Sequence, residues 1–209
     1  MPGAVIAVLD YGIGNLRSAE KALQKVGSDA RLVDSPGEAR GAAGVVLPGV
    51  GNFGRCMEAL RASGLDRVAL DAIAAGTPFL GICVGMQMLY ARSEESPRAR
   101  GLGVLPASIT HLPVGVKVPQ MQWNVLRPAE RSSRMLAGLG PEPWAYFVHS
   151  YAPQPTDAVV ATCDYGGPVV AAVERDGLWA TQFHPEKSGA TGLALLRNFA
   201  VACGEPVAG

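Results

Sequence analysis

Cys83 is the residue whose setting is most suggestive of chemistry. Gly81-Ile82-Cys83-Val84-Gly85 joins an apolar run at 79–82 to a helical pattern, and G-x-C-x-G is the thiol counterpart of the G-x-S-x-G nucleophile elbow. A sharp strand-to-helix turn would hold the central residue in a strained conformation, with no room for a side chain at either glycine. The sulfur would then stand at the carboxyl edge of a sheet and at a helix N-terminus, where the dipole favours negative charge. The Val84 N–H would point outward, ready to accept developing charge from a carbonyl under attack. A lone cysteine is as often a small buried hydrophobe. For Cys56, Cys163 and Cys203, which lack this context, that reading is preferred.

A thiolate used in acyl transfer needs a base and a group that orients the base. Of the three histidines, His111 lies in a Pro-flanked, loop-like stretch, His149 ends a strand-like run, and His184 ends the run 178–183 before Pro185. A residue before proline is held extended, and in extended chain residues i and i+2 face the same side, roughly 6.5 Å apart. Glu186 can therefore reach back to His184, fix its tautomer and stabilise the imidazolium. Cys83, His184 and Glu186 form a candidate triad. The bland alternative is a His–Glu surface pair at a strand end.

The elements that must position these groups alternate in the first half of the chain. Apolar runs at 5–9, 30–33, 44–47 and 79–82 read as strands, and 16–26, 56–62 and 65–75 read as helices, with Gly27 ending the first. Fully apolar strands separated by helices predict a parallel sheet covered on both faces. After residue 101 strand-like pieces follow at short intervals, at 115–118, 144–148, 159–163, 169–173 and 178–183, and a helix over 191–202 closes the chain. No repeat or flexible linker divides it. The expected fold class is α/β: a single domain over 1–209 with a mixed, mostly parallel central sheet flanked by helices.

Composition narrows the function further. The 209 residues are 48% apolar, enough for a substantial core, and 18 basic residues balance 18 acidic ones, so the footprint of a nucleic-acid binder is missing. Apolar runs are too short to span a bilayer, and the amino-terminal run 4–9 reads as no signal peptide, since no basic residue precedes it and Asp10 closes it. The four cysteines show neither C-x-x-C nor zinc-site spacing with histidines. The expectation is a cytoplasmic protein with reduced thiols and no metal. Gly12-Ile13-Gly14-Asn15 tempts a dinucleotide reading, but Arg17 stands where the third glycine belongs. No cofactor is expected there, only a turn at an interface edge.

Gly-Ile-Cys-Val-Gly-Met-Gln (81–87) and Gln-Phe-His-Pro-Glu-Lys-Ser (182–188) together resemble the class I, or triad, glutamine amidotransferases, and Pro48-Gly49-Val50-Gly51 is similar to that family's oxyanion loop. The stretches 10–16, Lys117-Val118-Pro119 with Trp123-Asn124, and 146–151 resemble the glutaminase subunits of imidazole glycerol phosphate synthases in particular. The resemblance implies that Cys83, His184 and Glu186 hydrolyse the side-chain amide of L-glutamine, with Val50 and Val84 as oxyanion donors and Gly49 and Gly51 shaping the loop. It implies that Gln87, Glu95, His149, Ser150 and Tyr151 bind glutamine. Asn15, Trp123, Tyr146 and Lys187 would lie at the interface and ammonia exit.

The implied partner is a (β/α)8-barrel cyclase subunit in a heterodimer. Its acceptor would be a ribonucleotide, its products imidazole glycerol phosphate and an aminoimidazole carboxamide ribonucleotide. Where the family stretch reads K-V-P-H-M-G-W-N, this chain has Gln120 for the His and Gln122 for the Gly, in a segment expected near the interface. The alternatives are a glutaminase subunit for another acceptor, as in pyridoxal phosphate or anthranilate synthesis, a regulatory subunit without catalysis, and a peptidase-like or redox thiol protein.

Overall fold

The computed structural model describes residues 5–204, so the ends of the expected 1–209 domain lie outside the described residues. In the first half, α1 (Leu16–Lys25) joins strand β1 (Ile6–Leu9) to β2 (Ala30–Val33), turns over 35–41 join β2 to β3 (Gly44–Gly49), and α2 (Phe53–Ala62) and α3 (Leu65–Ala74) join β3 to β4 (Phe79–Cys83). β1 and β3 are buried throughout, as strands covered on both faces must be. α1 buries Leu16, Ala19 and Leu23 on one face, and Gly27, at φ 98°, ends it in a conformation that suits glycine. Helix α2 begins three residues before the expected Cys56. Asn52 caps it, its side chain accepting from the Arg55 N–H.

A four-residue helix, α4 (Val84–Gln87), follows β4 directly. The strands β5 (Tyr90–Ser93), β6 (Leu105–His111), β7 (Gln120–Val125), β8 (Arg127–Pro128), β9 (Trp144–His149), β10 (Tyr151–Pro153), β11 (Val159–Asp164), β12 (Pro168–Arg175) and β13 (Leu178–Thr181) come next. A 3-10 turn (Pro185–Lys187) and helix α5 (Gly189–Ala202) end the described chain.

The main sheet has the order β2-β1-β3-β4-β13-β12-β11-β8. β2, β1, β3, β4 and β13 are parallel, and β12, β11 and β8 extend the sheet antiparallel. The expected mixed, mostly parallel α/β architecture is what forms. Two small sheets sit beside it, β10-β6-β5 and the antiparallel ribbon β7-β9. β5, β6, β7, β8 and β10 carry no signal in the sequence reading, and the strand expected at 115–118 is turn and bend instead. Gly115 there adopts φ 92°, and Pro119 follows a cis peptide bond. His111, expected in a loop, ends β6.

Candidate active site

β4 delivers Cys83 to the carboxyl edge of the parallel strands with φ 55° and ψ −112°, a conformation a non-glycine residue rarely adopts. The flanking glycines explain how the elbow closes. A Cβ on Gly85 would lie 1.8 Å from the Leu47 carbonyl oxygen, and one on Gly81 would crowd Gly85 and Met86 at 3.1 Å. The expected helix after the elbow is the single turn α4, so the aligned peptides beneath the sulfur are few.

His184 and Glu186 meet as expected, by a different route. His184 is extended, but Pro185 opens a 3-10 turn, and that turn, not extended chain, swings the Glu186 carboxylate to 2.8 Å from His184 Nδ1. Both side chains are almost fully buried, 2% and 3% exposed. A carboxylate only accepts, so Nδ1 carries the proton and Nε2 is the atom left to exchange one. Nε2 is buried with no hydrogen bond of normal geometry. Burial opposes charge on this ring, but the facing Cys83 sulfur and the Glu186 carboxylate outweigh it and push the imidazole up to about 10.

The backbone of this loop is held by groups the sequence reading passed over. The His184 N–H donates to the Tyr146 carbonyl at 3.0 Å, and the Ser188 hydroxyl donates to the His184 carbonyl at 2.6 Å while accepting from the Tyr146 N–H at 3.0 Å. Gly192 lets α5 approach, since a Cβ there would lie 1.8 Å from the Pro185 carbonyl oxygen.

A cavity of about 250 Å³ opens in front of the thiol, lined by Gly51, Cys83, Val84, Gln87, Glu95, Pro119, Val148, His149, Ser150 and Tyr151. Every residue expected to bind glutamine is among them. Gln87 Nε2 donates to the Tyr151 carbonyl at 3.0 Å and to Gln182 Oε1 at 3.1 Å. Gln182 Nε2 in turn donates to Cys83 Sγ at 3.7 Å. Gln182, fully buried, lies within the 182–188 motif, but its link between Gln87 and Cys83 is visible only in the fold. The Glu95 carboxylate accepts from the Phe53 N–H at 2.6 Å, fixing the N-terminus of α2 against the cavity wall.

His149 Nδ1 lies 2.9 Å from the Tyr151 carbonyl, so it donates and Nε2 is a buried acceptor with no partner among the described residues. Burial, and the neighbouring His184 charge, push His149 down to about 4, despite the bond to Tyr151. It is neutral at physiological pH.

On the opposite side of the triad, Asn15 closes a small hollow with Pro48, Gly49, Val50, His184 and Glu186. The loop before Asn15 bends through Gly12 (φ 82°) and Gly14 (φ 143°), the turn expected there. Trp123 and Tyr146 pair across the β7-β9 ribbon with ring centroids 5.9 Å apart. Met121, Trp123 and Trp144 are exposed on that ribbon, and Lys187 is exposed beside it. Gln120 departs from the expected interface position: it is fully buried opposite His149 in the ladder, its Nε2 directed at Cys163 Sγ, whereas Gln122 is exposed.

A larger hollow of about 440 Å³ lies at the other, amino edge of the strands, lined by Arg40, Arg67, Asp71, Thr77 and mostly small apolar residues, with no cysteine or histidine among them. No cluster of residues fit to hold a metal ion occurs among the described residues, and no described helix is long and apolar enough to cross a membrane.

A buried Cys–His–Glu constellation on a strand-to-helix elbow, above a mostly parallel sheet, defines a glutamine amidotransferase of the class I type. The family model "Glutamine amidotransferase class-I" matches residues 7–203, and the chain belongs to that family. Among curated proteins it is 49% identical over 196 residues to the Imidazole glycerol phosphate synthase subunit HisH of Methanothermobacter thermautotrophicus, covering 93% of this chain and 97% of the relative. It is 46% identical over 197 residues to the protein of the same name from Desulfitobacterium hafniense, covering 93% of each. A solved structure titled as a glutamine amidotransferase shares the fold, with TM-score 0.76 and 22% identity over 96% of this chain and 99% of that one.

Proposed function

We propose that this chain is the glutaminase subunit of an imidazole glycerol phosphate synthase, acting in the cytoplasm on L-glutamine. The observation that carries the reading is the strained Cys83 facing the buried His184–Glu186 pair at the mouth of a cavity lined by Gln87, Glu95 and His149.

Cys83 passes its proton to His184 Nε2, and its sulfur attacks the glutamine carboxamide carbon. The N–H groups of Val84 and Val50 receive the oxyanion, with Gly49 and Gly51 giving the loop its shape. His184 Nε2 delivers a proton to the departing ammonia, and Glu186 holds the ring in the tautomer that allows it. A water deprotonated by His184 then cleaves the γ-glutamyl thioester and releases glutamate. Gln87, Glu95, His149, Ser150 and Tyr151 hold the amino acid. Losing one oxyanion donor costs about 3 to 4 kcal/mol in the barrier, so turning the Val50 peptide is enough to switch the site on or off.

Ammonia loose in neutral water becomes ammonium and loses its nucleophilic lone pair. Transfer therefore has to run inside protein, to a (β/α)8-barrel cyclase subunit that adds the nitrogen to its ribonucleotide, giving imidazole glycerol phosphate and the aminoimidazole carboxamide ribonucleotide. The exposed Met121, Trp123 and Trp144 on the β7-β9 ribbon support docking there. Tyr146 on the same ribbon accepts from the His184 N–H, which gives the docked partner a direct connection to the base. Asn15 and Lys187 flank the exit.

The test is glutamate release from glutamine by this chain, alone and with the cyclase and its ribonucleotide, against Cys83→Ala. Weak activity alone, a strong rise in the complex and none in the variant is expected. Activity indifferent to the cyclase would assign another acceptor.

A further inference from the structure

Two donors, Tyr11 and Cys56, lie close to the triad, and the mechanism above uses neither. The Tyr11 hydroxyl donates to the Pro48 carbonyl at 2.7 Å. The Cys56 thiol donates to the Val50 carbonyl at 3.3 Å. Tyr11 is 5% exposed and Cys56 fully buried, and desolvation pushes both groups up, so both keep their protons and act as donors at neutral pH.

The positions of these two carbonyls along the chain matter. The Pro48 carbonyl belongs to the peptide joining Pro48 to Gly49, and the Val50 carbonyl to the peptide joining Val50 to Gly51. Between them lies one peptide, Gly49 to Val50, and it carries the Val50 N–H. The ladder explains why side chains are needed here. On one side β3 pairs with β4 as far as Gly49 opposite Cys83, but on the other its pairing with β1 stops at Val46 opposite Val8. Beyond that point Tyr11, just past the end of β1, supplies the donor that the strand no longer provides.

Cys56 is fixed from the other end. It sits on the first turn of α2, its N–H bonded to the Asn52 carbonyl at 3.0 Å, and that turn is capped by Asn52 and held by Glu95. Gly49 is wedged as well: a Cβ would lie 2.8 Å from the Gly85 nitrogen and 2.9 Å from the Tyr11 hydroxyl oxygen.

We propose that Tyr11 and Cys56 are positioning residues that anchor the two peptides flanking the Gly49–Val50 peptide, so that the oxyanion donor is aimed by rotation of that single peptide. With both neighbours held, the soft motion left is a paired change of ψ at Gly49 and φ at Val50, which turns one peptide plane about its Cα–Cα axis. Glycine at 49 makes the rotation accessible. Without the anchors, several peptides would share the motion, and fewer of the resulting states would present the N–H to the oxyanion. The proposal rests on the reading of Val50 as an oxyanion donor and adds what aims it.

The experiment uses Tyr11→Phe, Cys56→Ala and Cys56→Ser in the complex with the cyclase and its ribonucleotide. Each net hydrogen bond is worth roughly a three- to tenfold factor. Tyr11→Phe and Cys56→Ala should lower the stimulated glutaminase kcat by about that factor, with KM for glutamine within about twofold. Cys56→Ser, whose hydroxyl can still donate, should recover most of the rate. Unchanged kcat in the first two variants, a loss that falls on KM, or a serine variant as impaired as alanine would each overturn the anchoring.

Amide hydrogen exchange across residues 49–51, measured on the same variants without substrate, separates this failure from failure of the glutaminase reading. Faster exchange in Tyr11→Phe and Cys56→Ala is expected, and unchanged exchange refutes the anchors whatever the activity. If Cys83→Ala hydrolyses glutamine as well as the unaltered chain, the glutaminase reading falls and the assigned role of the anchors with it.

Discussion

Cys83 and His184 reach the same site on differently built supports. Cys83 and strand β3 beside it are held by parallel ladders with both faces buried, and the tolerances there are those of backbone against backbone, as the 1.8 Å approach at Gly85 shows. His184 follows the end of β13, where the parallel strands meet the antiparallel ones, and is held mainly by polar contacts: Glu186 on its ring, Ser188 on its carbonyl and the Tyr146 carbonyl on its N–H. The first support should be most sensitive to added atoms and the second to lost polar groups. The ribbon β7-β9 is a third case, with one strand bonded to the base loop and an aromatic face left to solvent.

The largest expected effect is on the base side. Glu186→Gln keeps the shape and removes the charge that fixes the tautomer, so kcat should fall by roughly a thousandfold or more, with glutamine KM nearly unchanged in steady-state kinetics. On the nucleophile side, Gly85→Ala should destabilise the fold by about 3 kcal/mol or more through overpacking, read as a lowered urea midpoint. If Gly85→Ala were as stable as the unaltered chain, the contrast between the two supports would collapse.

The contrast also explains what the sequence reading could see. Runs that are apolar throughout, such as 5–9 and 79–82, announce strands buried on both faces, and the elbow glycines announce their own crowding. β5, β6, β7, β8 and β10 are short or only partly buried, so no periodicity marks them. Along β7 Gln120 and Gln122 share one face and Met121 and Trp123 the other, but only Gln120, opposite His149, is buried, so no polar–apolar alternation marks the strand. The proposed triad, Cys83, His184 and Glu186, is legible because its residues lie in two short motifs. Gln182, Ser188, Tyr11 and Cys56 were not, since what they do depends on partners far away in the chain.

His149 offers a pH test of the wall that faces both supports. Its folded pKa, about 4, lies below the ordinary value of 6.5. Between those values the unfolded chain binds a proton that the folded chain refuses, so stability rises with pH through that window and is lost as pH falls through it. The contribution is on the order of 3 kcal/mol, and His149→Gln should flatten that part of the stability–pH curve in denaturant titrations. The smallest effect belongs to the ribbon. Trp123→Ala should weaken binding of the cyclase by about 2 kcal/mol and leave the isolated chain's stability within ~0.5 kcal/mol, as titration calorimetry and thermal melts would show.

The central claim is that Cys83 attacks a glutamine side chain seated in the cavity before it. A glutamine-shaped electrophile, such as a diazoketone or chloroketone analogue, followed by intact-mass and peptide mapping, tests it most directly. One adduct per chain, on Cys83 and suppressed by excess glutamine, is the expected result. Labelling spread over Cys56, Cys163 and Cys203, or labelling of Cys83 that glutamine does not slow, would contradict it.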